Sequence, residues 1–383
     1  MTNKKFVEKL GLVLSGNVKQ DNKLVNSFLL ESVGEKFVKY LKINGKFKKF
    51  TLSPISFEIG FCEQLWSQMT LGEKLQLMKW ASEDYLQKNG YGTDFPDFVF
   101  FSEYNFDNLA YTAMSLKGKI FLSLDFVSKT SGYDAYIIAI HESIHELDFV
   151  RVLKIIENDI SKYIFQFKGI ENFRTLRELM KLPVEGKIIN WQTGQYEFVD
   201  EELRQKILLC KNSIITISRL KNTPSARKYV KDSADFDRYL SSDFYYLSPL
   251  ESRAYNESIK HIFTMAIYNA ERIDYSENDL KVLQSYNDFL LKINGRKREI
   301  QKHFKMPASY AVNMELEYLF NRFYYGNATM NYICQKHMTK RAEAIRYFWD
   351  MKHSGKGDYV SPFQREMLGS TETKKERTWK NPQ

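Results

Sequence analysis

Two histidines four residues apart, His141 and His145, flank a glutamate, Glu142, in the stretch 134–151, DAYIIAIHESIHELDFVR. On an α-helix a four-residue step returns to the same face, so both imidazoles point the same way, one turn apart. Two neutral ring nitrogens so placed suit a single Zn²⁺, and a carboxylate beside that ion can take a proton from water. The pattern H-E-x-x-H therefore points to hydrolysis with a zinc ion and Glu142 as general base. The plain alternative is a core helix whose two histidines are merely hydrogen-bonded. That alternative gives no reason for a Glu between two His at this spacing.

A catalytic zinc needs a third protein ligand and keeps its fourth position open. Glu146, Leu147, Asp148 and Phe149 follow the motif, with no Gly-x-x-His continuation. The better source is the segment 245–255, YYLSPLESRAY. Ser248-Pro249 reads as a helix start, which places Glu251 one turn in, three residues before the small Ala254. A solvated Glu favoured by the helix dipole is the ordinary reading of such a residue. Asp148, seven residues after His141, is the reserve ligand, or else a hydrogen-bond partner of an imidazole. Tyr255, one turn beyond Glu251, could donate to a ligand or to a developing oxyanion, or simply pack. His261 lies ten residues beyond Glu251, roughly 15 Å along a helix axis, and is read as a core or surface residue.

The elements needed to hold these groups are legible around them. Ser131-x-x-Asp134 reads as the N-cap and capping box of the histidine helix. Three short alternating runs, 98–101, 109–114 and 119–124, read as strands, the last preceded by a Lys117-Gly118 turn. Hairpin, loop and H-E-x-x-H helix in this order resemble the zincin metallopeptidases. The E-x-x-A element at Glu251 and Ala254 resembles their gluzincin branch and the small cytosolic metallopeptidases that cleave phage repressors. The resemblance implies His141, His145 and Glu251 as zinc ligands, Glu142 as base, and a peptide or protein as substrate. It also implies that the strand before the helix lines the cleft and pairs with extended substrate, the outermost strand offering its backbone. Large helical additions to such cores are frequent in phages and mobile elements, which suggests that origin here.

The expected fold is α+β and predominantly helical: a small zincin-like sheet packed on the H-E-x-x-H helix, with large helical additions. Residues 1–90 form a mostly helical N-terminal region, with a hairpin at Asn44-Gly45 and a capping box at Thr70-x-x-Glu73. Residues 91–275 form the catalytic core, interrupted by a helical insertion at 152–243 that contains one hairpin near Trp191–Gly194. Helices continue through 276–352, with core segments at 315–320 and 342–349, and residues 353–383 read as a flexible tail.

At 383 residues and 27% charged, the chain is long and mixed enough for a soluble folded core. No apolar run reaches the ~20 residues that cross a bilayer, and no signal-peptide pattern opens the chain. Cys62, Cys210 and Cys334 form no C-x-x-C, which suits a reducing cytoplasm, or a virion if phage-encoded. Cys334 and His337 are only a weak metal signal. The net charge of +9 is a mild prior for nucleic acid. Lys46, Lys48 and Lys49 with Phe47 and Phe50 could neutralise and stack on a strand, although a solvated strand face explains them too. A turn at Asn294-Gly295 followed by basic residues to Lys305 is a second candidate for phosphate. A non-catalytic zincin-like binding or structural protein, contacting an assembly or nucleic acid, is the alternative function.

Overall fold

The structure, a computed structural model, describes residues 20, 24, 35–92, 94–101, 113–115, 118–170, 172–219, 246–247, 249–270, 272–273 and 275–304. Contacts divide the chain into two units, residues 1–226 with 249–295 and residues 227–248 with 296–383. Apart from Tyr246, Leu247 and residues 296–304, the elements below belong to the first unit. The expected strand residues 109–112, the end of the insertion at 220–243, the helices at 315–320 and 342–349, Cys334, His337 and the tail lie outside the described residues.

Among the described residues the fold is mixed α and β, mostly helical, with three small sheets. It opens with an antiparallel hairpin, β1 (Phe37–Ile43) and β2 (Lys46–Leu52). The turn residues Asn44 and Gly45 both take positive φ, 49° and 77°, the backbone that a two-residue hairpin demands. Helix α1 (Glu63–Trp66) and helix α2 (Leu71–Lys88) follow. The capping box of α2 forms as expected, Thr70 and Glu73 satisfying each other's backbone N–H, and Asn89-Gly90 ends the helix. Trp66 and Trp80 are buried.

Strands β3 (Asp97–Phe101), β4 (Ala113–Ser115) and β5 (Lys119–Ser123) form one sheet in the order β3-β5-β4. β3 runs parallel to β5, and β4 antiparallel. The strand before the histidine helix is therefore internal, which corrects the expectation that it pairs with substrate. Its ladder groups are taken on both sides, whereas an edge strand keeps one row free. Among the described residues β4 is the edge strand that packs on the helix. A short helix α3 (Leu124–Lys129), capped by Ser123, replaces the expected loop.

Helix α4 (Gly132–Ile155) carries the histidines and is buried almost all round, packed by α2, by β4 and β5, and by a later helix. A helix with so little exposed surface must be central, which is why it can fix the positions of its polar groups. Ser131 caps it by accepting from the Asp134 N–H at 3.0 Å. The expected box is half formed: the Asp134 carboxylate accepts from the Ser131 hydroxyl and, on its other oxygen, from Tyr286. At Gly132 an added Cβ would lie 2.1 Å from the Phe61 carbonyl oxygen, so only glycine lets the helix start so close to that backbone. Phe61 also stacks on Trp66 and meets Tyr136 edge-on, with centroids 5.5 and 5.0 Å apart. Such pairs each contribute about 0.5–1.5 kcal/mol beyond their buried area, so this cluster pins the start of α4.

Beyond α4 the chain makes a π-turn (Ile156–Ile160) and a 3₁₀ turn (Ser161–Tyr163). Then come α5 (Phe173–Lys181), the hairpin β6 (Lys187–Asn190) and β7 (Gln195–Phe198), and α6 (Glu201–Arg219). α7 (Pro249–Asn269) lies against α4, and α8 (Glu277–Phe304) closes the described chain. The turn expected at Asn294-Gly295 is absent, since α8 runs straight through it. Buried Leu283, Phe289 and Ile293 give that helix an apolar stripe, which outweighs the ~1 kcal/mol cost of an internal glycine. Among the described residues no helix is long and apolar enough to cross a membrane.

Candidate metal centre

Helices α4 and α7 bring three side chains together from positions 110 residues apart. His141 and His145 sit one turn apart on α4, and Glu251 in the first turn of α7, where the helix dipole favours a carboxylate. Ala254, one turn further along α7, is fully buried, as close helix packing requires. Glu251 Oε2 is 3.1 Å from His141 Nε2, and Oε1 is 3.3 Å from His145 Nε2. The two Nε2 atoms are 2.9 Å apart.

These three contacts cannot all be hydrogen bonds. Each Nε2 carries at most one hydrogen, and the carboxylate carries none while ionised. The three contacts therefore share at most two protons, whatever the tautomers, and one pair of lone pairs or one pair of N–H groups must face each other. A cation between the two Nε2 atoms and the carboxylate removes the conflict. A tetrahedral ion with bonds near 2.0–2.1 Å sets its ligand atoms about 3.3 Å apart, close to the three distances found. Among the described residues this is the one group of three or more His, Cys, Asp or Glu placed to hold a metal.

Access and charge differ around these three side chains. The His141 side chain is 3% exposed, while His145 and Glu251 are 16% and 17% exposed, so the group opens on one side. Burial opposes a charged His145, but the charge and hydrogen bond of Glu251, with Glu142 and Asp148, outweigh it and hold His145 up at about 9. Burial likewise raises Glu251, yet the two imidazoles more than compensate and keep it well below the usual carboxylate range.

Glu142 is buried beside the histidines, and desolvation raises its pKa although His141 and His145 pull the other way. The backbone N–H of Ser115, on edge strand β4, also favours its charged form. The adjoining Glu146 is buried too, and accepts from the Tyr91 hydroxyl, the Ser115 hydroxyl and the Gly118 N–H, each at 2.9 Å. Ser115 thus donates to Glu146 and lies near Glu142, one turn away on α4.

Asp148 does not join the ligand group. It is ion-paired with Arg253 of α7, its other oxygen buried with no hydrogen-bond partner. The hydrogen bond expected from Asp148 to an imidazole is replaced by this pair, and His141 Nδ1 is likewise buried without a hydrogen-bond partner. Tyr255 lies against the His141 ring, centroids 4.4 Å apart, with Phe289 behind it at 5.3 Å. His261 packs against Tyr85, away from the three side chains. Sequence reasoning missed Ser115, Gly118, Tyr91 and Glu146. For Glu146 a signal existed, since Glu142 and Glu146 repeat the four-residue spacing of the histidines one position on.

Compared with known proteins, the chain matches no family model, no curated protein and no solved structure, so the reading of the site rests on its geometry.

Proposed function

We propose that this chain is a zinc-dependent peptidase of the gluzincin type, with His141, His145 and Glu251 as ligands and Glu142 as general base. The observation that carries the reading is the convergence of two imidazoles and a carboxylate, with the Nε2 atoms 2.9 Å apart, one Glu251 oxygen 3.1 Å from His141 and the other 3.3 Å from His145. Zinc in that position supplies Lewis acidity towards a carbonyl oxygen and towards water. Glu142 takes the proton of the attacking water on its carboxylate and delivers it to the leaving amine; its burial, which raises its proton affinity, suits that exchange. Tyr255 holds the His141 ring from behind. Among the described residues strand β4, rather than β5, presents an edge on which an extended peptide can add a strand.

Elemental analysis and a peptide library test the reading together. The wild type should carry one zinc per chain and cleave library peptides in a chelator-sensitive way. His145→Ala and Glu251→Ala should lose the metal. Zinc retained by both variants would refute the ligand set, and zinc without cleavage would leave a binding protein instead of an enzyme.

A further inference from the structure

The β1–β2 hairpin has one face in the core and one in water. Phe37, Leu41, Ile43, Phe50 and Leu52 are buried, and Phe37 stacks on Trp80 of α2 with centroids 5.6 Å apart. That anchors the ribbon firmly. The opposite face carries Val38, Tyr40 and Lys42 from β1 and Phe47, Lys49 and Thr51 from β2. Tyr40 stands opposite Lys49, and Lys42 opposite Phe47, so ring and ammonium alternate across the ribbon. Tyr40 is 54% exposed and Phe47 74%, with the Lys42 ammonium 5.9 Å from the Phe47 ring centroid.

Charge on this segment has a single sign. Residues 36–57 contain Lys36, Lys39, Lys42, Lys46, Lys48 and Lys49 and no Asp or Glu. Lys39 is neutralised by Glu73 at 2.7 Å from the inner side. Lys42, Lys46, Lys48 and Lys49 are exposed. A strand face kept merely soluble needs the lysines but has no use for two projecting rings beside them.

We propose that the outer face of the β1–β2 hairpin binds single-stranded nucleic acid, bases stacking on Tyr40 and Phe47 and phosphates meeting Lys42, Lys49 and the lysines of the hairpin tip. Residues diagonally opposed across an antiparallel pair, as Tyr40 and Phe47 are, lie about 7–8 Å apart, within reach of neighbouring bases on one strand. A duplex keeps its bases stacked on one another and offers these rings nothing. An acidic peptide supplies charge but no flat faces, and two rings among so many lysines are a poor match for a bilayer interior. The inference stands apart from the zinc reading and uses none of its residues.

Fluorescence anisotropy of the full chain with labelled oligothymidine and oligouridine tests this, beside a duplex, polyglutamate and vesicles of phosphatidylserine with phosphatidylcholine. Both single strands should bind at about 50 mM salt and weaken steeply towards about 200 mM. A preference for one of them tells DNA from RNA. Tyr40→Ala and Phe47→Ala should each weaken binding about tenfold, while Phe47→Tyr retains it. Lys42→Gln with Lys49→Gln should lower the slope of log affinity against log salt by about 1.4. All these positions are exposed, so unchanged thermal unfolding shows that the variants fold. Absence of single-strand binding, wild-type affinity in the ring variants, or equal affinity for duplex, polyglutamate or vesicles would overturn the proposal.

Discussion

On one stripe of helix α4, Glu142 and Glu146 face strand β4; on the next, His141, His145 and Asp148 face helix α7. Both stripes are polar, buried and spaced by one helical turn, yet their bookkeeping differs. Glu146 meets three donors with two oxygens and is satisfied. Around the histidines two ring nitrogens and two carboxylate oxygens share too few protons, and His141 Nδ1 and Asp148 Oδ2 are without hydrogen-bond partners. A saturated buried carboxylate is a clasp between helix and sheet. A buried cluster whose hydrogen bonds cannot all be made carries a cost that an added group can remove, and here the geometry suits a cation.

Substitutions on the two stripes should separate these roles. The largest effect is expected from Glu142→Gln, which should cut peptide turnover about 10²–10⁴-fold in a steady-state assay while zinc remains bound. The same change should raise the unfolding temperature of the metal-free protein, because a buried carboxylate with a raised pKa is replaced by a neutral amide. Full activity in this variant would remove Glu142 from the mechanism.

Next comes Glu146→Ala, which strands the donors of Tyr91, Ser115 and Gly118 and should cost about 4 kcal/mol in a denaturant titration. Zinc affinity should change far less than in Glu251→Ala, where a loss of more than about a hundredfold is expected. If Glu146→Ala instead released the metal at unchanged stability, the clasp and the metal centre would not be separate devices.

pH supplies a smaller effect. His145 in the metal-free protein is raised from 6.5 to about 9, so the protonated ring stabilises the fold. That contribution is complete below pH 6.5 and disappears as pH rises through about 9. Thermal unfolding of the chelated protein should therefore fall across this window, and zinc should flatten the dependence. A chelated protein equally stable at both ends would show that His145 gains nothing from Glu251. The smallest effect belongs to Tyr255→Phe, which keeps the ring on His141 and should leave zinc content unchanged. A sharp loss of turnover there would assign its hydroxyl to the developing oxyanion.

Much of the local structure was legible in the chain. Thr70 and Glu73 announce the start of α2, Asn44-Gly45 the first hairpin, Pro249 the start of α7, and the alternation at 119–123 a strand. Each of these signals is read over a few neighbouring residues. The errors fall where a distant partner decides. β5 became an internal strand because β3 pairs with it in parallel, and nothing within either strand states that pairing. Asn294-Gly295 stayed helical because the stripe around it is buried. Asp148 turned to Arg253, a residue that no spacing within α4 could nominate.

The chain by itself determined that His141 and His145 share a helix face with Glu142 beside them, because helical periodicity is a local property of the backbone. Only the packing of α4 between β4 and α7 decided that Glu251 would join the two histidines, that Ser115 would donate to Glu146, and that Glu146 would be a clasp. Buried polar groups take whichever partners the neighbouring elements deliver, and that delivery is settled by tertiary contacts, not by sequence spacing.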